Sequence, residues 1–556
     1  MSSVTAQLRS AIERRASPNV AGRRFSVVLL FFVLILVGIF SALQAVRRPF
    51  WYDEICTVTI SRLPNMPAIW DALDNGADGN PPPYYAVARL ARRLTTDDHL
   101  GYRLPSIVGA WAVILCTYLI LCRRLDRLSA LTGAVFVLAT PMAAYATEAR
   151  PYALMVGCAA GAILAWQRIA DRRMYSIVLA LMLAAALCLH YYAILIWPAF
   201  ILGEAAVLIA ARRFRPYVWA ALLVGATPLV VFAPMLFRLR QYYGAHIWAR
   251  ASIRQLVSSF DLLLGIGAHS GLVFAVASSG ALMYWIYSKT GAVSRSDENG
   301  ATTSSTLVGE FTIALGFLWL PVVATAAGMI SRGGMTTRYM LPAVLGGSLV
   351  VGYLTSHAVA RVKVLLLLVF LANYALSSGG SVRRAVFGSL LDERAGAARE
   401  VAAILDRSRE LRLPAVVSSG MDYLPMVYYK PPDASGQLYV LSDAQAALKF
   451  ANSDSLELGL LVLSRYSKLQ VENYRNFASK HREFLLFSRG RGGHDWWPER
   501  LAQDGDSVIL LEGSTADIKL YKVVVNSDFE QAQPAVVLRK ATPAGGKHFD
   551  NGIDRP

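Results

Sequence analysis

The chain has little charge, few cysteines and almost no acid inside its apolar runs. Charged residues make up 17% of 556 positions against 55% hydrophobic ones, with a mean hydropathy of +0.41. A single soluble core of this size does not need that much apolar surface. Five cysteines, four of them (Cys116, Cys122, Cys158, Cys188) in or beside apolar runs, argue against a disulfide framework. No C-x-x-C pair is present, and the lone histidines suggest no metal-ligand spacing, so neither a cofactor nor a metal is expected. A divalent ion beside the acids stays open. Apart from Glu204 and Glu310, acids avoid the apolar runs, whereas ion-coupled transporters keep ionisable groups near the membrane midplane. No internal repeat is found.

What is present is a series of apolar stretches of about 17 to 25 residues, the length that crosses a hydrocarbon core of about 30 Å. Eleven spans are predicted: 26–46, 104–122, 128–146, 151–167, 175–190, 191–211, 217–237, 271–288, 308–330, 341–359 and 362–379. The fold class is thus mainly α, a polytopic transmembrane bundle. The formal charge of +17 reflects arginines beside these spans, not a nucleic-acid-binding domain. Short arginine-rich connections at 123–127, 168–173 and 212–215 alternate with cation-poor ones, which places the first set and residues 1–25 in the cytoplasm. The expected organisation is a cytoplasmic segment 1–25, a membrane domain 26–384 with an extracytoplasmic loop 47–103, an extracytoplasmic α/β domain 385–525, and a disordered tail 526–556. In the α/β domain a helix is read at 395–411 and strands at 415–418, 437–441, 458–464, 508–511 and 518–525.

The alternation brings four segments with chemical potential to the outer side. Directly after the first span, Trp51-Tyr52-Asp53-Glu54 places two carboxylates at headgroup level, where an ionised acid can take a proton from an attacking hydroxyl. Taken alone, an acidic pair more often caps or solvates a loop helix. Asn65 opens one short loop helix, and Asn80-Pro81-Pro82-Pro83 opens a second. On the second, Tyr85, Arg89, Arg92 and Arg93 share a face expected to lie along anionic headgroups. The same side receives Glu148-Ala149-Arg150-Pro151-Tyr152, His190-Tyr191-Tyr192, the segment with Arg238, Arg240, Tyr243 and His246, and Arg332 with Arg338-Tyr339. Arginines kept outside run against the usual charge bias, and binding a phosphate accounts for them, because guanidinium groups bond phosphate oxygens in bidentate fashion. For any single one, snorkelling to headgroups is the simpler reading.

In this order the acidic pair, Asn80-Pro81-Pro82-Pro83-Tyr84-Tyr85, Glu148 to Leu154 and His190-Tyr191-Tyr192 resemble the GT-C glycosyltransferases, specifically the group of protein mannosyltransferases, aminoarabinose transferases and lipopolysaccharide galacturonosyltransferases (families 39 and 83). The resemblance covers about residues 25–350. That group often has His where Asn80 stands. The resemblance implies transfer of a sugar from a polyprenyl-phosphate donor to an envelope glycolipid, glycan or protein on the periplasmic side of a bacterial inner membrane. It implies that Asp53 is the base and Glu54 its partner, and that Arg150, Arg238, Arg240, Arg332 and Arg338 hold the departing phosphate. Tyr52, Asn80, Tyr84, Tyr85, Glu148, Tyr152, His190, Tyr191 and Tyr339 become substrate contacts. Membrane lipids are the remaining partners and nucleic acid is excluded. The competing readings are a transporter or flippase of lipid-linked glycan, and a polymerase or ligase that uses lipid pyrophosphate.

Overall fold

The computed structural model describes residues 20–244, 246–267, 270–292, 298–387, 392–490, 493–511 and 518–526. Most of the expected cytoplasmic segment and nearly all of the expected tail therefore lie outside the described residues.

The protein is a multi-pass helical membrane protein carrying a small α/β unit. Helix α1 (Val20–Arg47) is followed by three loop helices, α2 (Tyr52–Ser61), α3 (Met66–Asp74) and α4 (Pro82–Arg92). The bundle continues with α5 (Asp98–Cys122), α6 (Arg127–Phe136), α7 (Tyr152–Arg168), α8 (Tyr175–Leu189) and α9 (Trp197–Ala211). After these come α10 (Pro216–Gly225), α11 (Pro228–Tyr243), α12 (Ile253–Leu264), α13 (Ser270–Ala292), α14 (Glu298–Leu318), α15 (Leu320–Ser331), α16 (Ala343–Thr355) and α17 (Ala360–Phe387).

Every run read as a span is helical, but the count of eleven does not carry over by length. Among the described residues five helices are long and apolar enough to cross, and a sixth arises if α14 and α15, bent by 55°, act together. Others, such as Arg127–Ala139, Tyr175–Leu189 and Ala343–Thr355, are shorter. A helix of 15 residues rises only about 22 Å, short of a core of about 30 Å. Hydropathy marks apolar length, not where the helix breaks: the extended backbone at Thr140, followed by Pro141, stops the 128–146 run early.

Close packing of α5 on α7 fixes the site from below. A Cβ at Gly109 would lie 2.4 Å from the Ala153 carbonyl carbon, so only glycine lets these backbones meet. One turn earlier on α5, the Ser106 hydroxyl bonds the carbonyls of Glu148 (2.6 Å) and Arg150 (3.0 Å), pinning the turn that leads into α7.

Two sets of connections gather at opposite ends of the bundle. At one end Arg123 pairs with Asp171, Arg124 with Glu310 (2.8 Å) and Arg215 with Glu204. At the other end the first loop, the 146–151 turn, the residues after His190 and the stretches before α12 and α16 converge, joined by a bridge between Arg250 and Gly334.

From α18 (Asp392–Leu411) the chain builds a six-stranded sheet with order β3-β2-β1-β4-β6-β5. Strands β1 (Ala415–Val417), β2 (Leu438–Ser442), β3 (Val471–Asn473) and β4 (Glu483–Ser488) run parallel. Strand β6 (Lys519–Val524) adds antiparallel to β4, and β5 (Ser507–Leu510) closes the edge antiparallel to β6. Flanking helices are α19 (Gly420–Tyr428), α20 (Ala444–Ala451), α21 (Ser455–Ser464), α22 (Tyr474–Lys480) and α23 (Trp497–Gln503). The strand read at 458–464 is instead helix α21, and the buried central strand β4 was not anticipated. A short continuous apolar run carries no period that separates a buried strand from a buried helix.

Candidate active site

The two adjacent acids open α2, and helical geometry sends them in different directions. Glu54 at the third helical position takes the Trp51 amide (3.3 Å), closing a capping-box arrangement at the helix start. Its carboxylate then meets Arg103 on α5 in a bidentate pair at 2.7 and 2.6 Å, and it also accepts the Ala149 amide at 2.6 Å. Neither side chain has any exposure. The remaining Arg103 donors bond the carbonyls of Ala45 (2.6 Å), Arg48 (2.7 Å) and Pro49 (3.1 Å) at the end of α1, so all five N–H groups are used. Glu54 is thus a keystone that ties the first span, the loop and the 146–151 turn together. This revises its expected role beside Asp53: its oxygens are fully engaged away from any cavity.

Asp53 faces a cavity of about 480 Å³, within the range of small-molecule sites. Its carboxylate accepts from Arg338 at 2.6 Å, and the two side chains are 19% and 18% exposed, so the pair is sheltered but reachable. The Arg338 guanidinium lies 5.8 to 5.9 Å from the ring centres of Trp51, Tyr152 and Trp248, a cage of aromatic faces suited to a cation.

A second carboxylate, Asp78, lines the same cavity. It pairs with Arg150 (2.6 and 3.2 Å) and accepts from the Tyr85 hydroxyl (2.7 Å), the Asn80 amide (3.4 Å) and the Gly79 N–H (2.7 Å). Burial works to raise the Asp78 carboxyl, but the Arg150 charge and these donors outweigh it and hold it below its usual range. Arg150 also bonds the Asp53 carbonyl (3.0 Å) and the Thr57 hydroxyl (3.2 Å). It is a strut that holds the backbone of the Asp53 turn, with little left for a phosphate. Arg238, expected at the phosphate too, pairs with Asp74 (2.7 Å) and does not line the cavity.

Of the remaining expected residues, Tyr52, Tyr191, Tyr339, Arg240 and Arg332 line the cavity. Among the described residues neither Arg240 nor Arg332 has an ion-pair or hydrogen-bond partner for its side chain, and both are exposed at the rim. Beside them the wall is apolar, with Ile194, Leu229, Leu236, Leu239 and Ile247. Tyr84, Tyr85, Asn80, Tyr152, His190 and Glu148 stand behind the wall rather than in it. His190 takes the Tyr192 amide on Nδ1 (3.1 Å) and packs among Tyr152, Tyr192 and Tyr339, whose last two rings stack at 4.3 Å. Most of the face of α4 expected along headgroups is turned inward: Tyr85 is buried, Arg89 bonds the carbonyls of Ser61 and Leu63, and Arg92 pairs with Asp98, while Arg93 at the helix end is exposed. Val87, Leu90 and Leu94 are exposed in its place.

Asp78, Trp248, Arg103 and the residues that α21 brings to the cavity were missed. Only Asp78 had a local signal, an acid in the Gly-rich turn Gly76 to Gly79. Among the described residues no three His, Cys, Asp or Glu side chains converge to hold a metal ion.

Glu148 sits behind the Asp53 turn, 3.6 Å from Arg48. Burial pushes its carboxyl up from 4.5 to about 7; Arg48 lowers it, and Glu54 adds to the rise. A carboxyl raised in the folded state stabilises the protein in its protonated form, so that contribution is complete below 4.5 and is lost as pH rises through about 7. Glu148→Gln is therefore expected to flatten the loss of thermal stability between these pH values, read by melting curves at several pH values. A slope equal to the parent's refutes it.

The family described as dolichyl-phosphate-mannose-protein mannosyltransferase matches residues 79–237. Among solved structures, ArnT from Cupriavidus metallidurans in the apo state matches with TM-score 0.54 and 14% identity, over 89% of this chain and 97% of that one. The same protein bound to undecaprenyl phosphate matches with TM-score 0.53 and 13% identity, over the same shares. A search of the curated proteins finds no match.

Proposed function

We propose that this chain, which has the GT-C fold, is a membrane glycosyltransferase that moves a sugar from a polyprenyl-phosphate donor to an acceptor hydroxyl, with Asp53 as general base. The observation that carries the reading is the composition of one cavity: a sheltered carboxylate at Asp53, two rim arginines without a partner among the described residues, and an apolar wall beside them. The apolar wall suits isoprenyl units, Arg240 and Arg332 suit the phosphate, and Asp53 suits the incoming hydroxyl. ArnT, similar in fold, binds undecaprenyl phosphate.

In the reaction the acceptor oxygen attacks the anomeric carbon from the face opposite the phosphate, and its proton passes to Asp53. The bond from carbon to phosphate oxygen breaks, the electron pair leaves with polyprenyl phosphate, and the anomeric configuration inverts. Arg338 couples the two ends. Its counter-charge on Asp53 disappears with protonation as negative charge grows on the leaving phosphate, so its attraction shifts toward the group that needs it in the transition state. No cofactor enters this scheme.

The orientation that fits is a bacterial inner membrane with the N-terminus cytoplasmic and the cavity and α/β unit periplasmic. It is supported by the arginine-rich connections gathering at the end of the bundle away from the cavity. Acceptors compatible with that side are envelope glycolipid, glycan or protein.

Removing both rim arginines tests the donor site. Each guanidinium–phosphate contact is worth about 1.5–3 kcal/mol, so Arg240→Ala with Arg332→Ala is expected to raise the donor KM by about 150-fold or more. Acceptor KM stays near the parent's. Donor KM unchanged in purified protein, assayed by release of polyprenyl phosphate, refutes the assignment.

A further inference from the structure

The α/β unit reaches the reaction cavity at one place. Ser455 and Gly459, one turn apart on α21, line the cavity that contains Asp53. A Cβ at Gly459 would stand 3.6 Å from the Tyr52 hydroxyl and 3.7 Å from the Tyr243 hydroxyl, ordinary contact distances that a methyl group meets without a clash. The Tyr52 hydroxyl, next in sequence to Asp53, has no hydrogen-bond partner among the described residues. The Tyr243 hydroxyl donates to the Gly76 carbonyl (2.5 Å) and keeps its own acceptor lone pairs.

Two separate clamps hold this wall in position. At the start of α21 the Ser455 hydroxyl donates to the His246 carbonyl at 3.4 Å, and Asp454 just before it lies 3.4 Å from His246 Nδ1. The Tyr466 hydroxyl, just beyond the end of α21, donates to Asp71 at 2.7 Å. Held at both ends, α21 is fixed against Asp71 of the first loop and against His246.

We infer that α21 of the C-terminal unit forms the acceptor wall of the site, and that the small residue at Gly459 selects a neutral saccharide acceptor. The inference rests on the glycosyltransferase reading above. The groups nearest Gly459 are the Tyr52 and Tyr243 hydroxyls, and Ser455 lines the same stretch, a set of hydroxyls and aromatic faces that matches a polyhydroxylated group, with the cavity's charged side chains Asp53, Asp78, Arg240 and Arg332 contributed by other elements. An extended peptide would need unpaired main-chain groups to bond. Mid-helix Gly459 offers none, because its N–H and C=O belong to the helix.

The full-length protein in nanodiscs provides the test, with Gly459→Phe, Gly459→Ala and Gly459→Cys. A bulky ring in the wall is expected to raise the KM for a short neutral oligosaccharide acceptor by about tenfold or more, the scale on which pocket shape discriminates. Donor KM and the slow hydrolysis of donor by water stay within about twofold, because the transition-state contacts to the donor are untouched, and Gly459→Ala raises the acceptor KM less than Gly459→Phe does. An equal rise in donor KM, or no rise for the acceptor, overturns the inference.

Alkylation of the thiol introduced by Gly459→Cys, mapped by mass spectrometry, gives a readout independent of turnover. The oligosaccharide is expected to protect it, whereas undecaprenyl phosphate and a Ser/Thr-containing peptide do not. Protection by either of those instead overturns the inference. If the parent protein turns over no donor while the oligosaccharide still protects, the reaction assignment fails and the saccharide wall stands.

Discussion

Asp53→Asn is expected to lower kcat by about a thousandfold, within the range of about 10²–10⁴ that a positioned general base contributes. The fold is expected to survive the change. No carboxylate is needed at this position to neutralise a fully buried partner, because Arg338 is partly exposed and caged by three aromatic rings. The amide oxygen of the variant side chain can still accept the Arg338 hydrogen bond. The donor should therefore bind to the variant with near-parental affinity and remain unreacted. The comparison needs one purified preparation, with transfer measured by product formation and binding by displacement of a labelled polyprenyl phosphate. Parental turnover removes Asp53 from the mechanism, and loss of binding together with turnover makes it a binding residue.

The same pair of acids shows how much of this site a sequence can disclose. Its position after the first span, on the side where arginines and aromatics return, was legible because hydropathy and charge bias are properties of local runs. So were the loop helices, with Asn65 accepting the Ala68 amide as the cap its position suggested. What local runs do not carry is partnership. Asp53 and Glu54 are chemically near-equivalent neighbours, and only the rotation of about 100° per residue along α2 turns one to the cavity and the other to Arg103. The five outside arginines look alike for the same reason. Arg150 and Arg238 are neutralised by Asp78 and Asp74, residues far away in sequence or unremarked in it, while Arg240 and Arg332 stay unpaired among the described residues. The contribution of α21 was hidden doubly, since Leu458 to Ser464 read as a strand and nothing in the C-terminal unit signals a neighbour in the first loop.

Glu54→Gln is expected to do the opposite of Asp53→Asn. Glutamine keeps the shape but leaves the fully buried Arg103 charge without its carboxylate, and breaking one partner of such a pair costs about 3–5 kcal/mol. Folding stability should fall sharply, with an earlier thermal transition and easier proteolysis between α1 and α2. Catalysis in the molecules that remain folded should fall less than in Asp53→Asn, because the Asp53 carboxylate and its Arg338 partner stay in place. Replacing both partners by leucine does not restore the parent. Arg103 also satisfies three carbonyls at the end of α1, and Glu54 satisfies the amide of Ala149, so an apolar pair would bury those groups unbonded. If Glu54→Gln melts with the parent and loses turnover as severely as Asp53→Asn, then Glu54 takes part in the chemistry and the division of labour between the two acids is wrong. The ratio of lost stability to lost turnover, measured for both variants side by side, is the quantity that separates a base from a keystone.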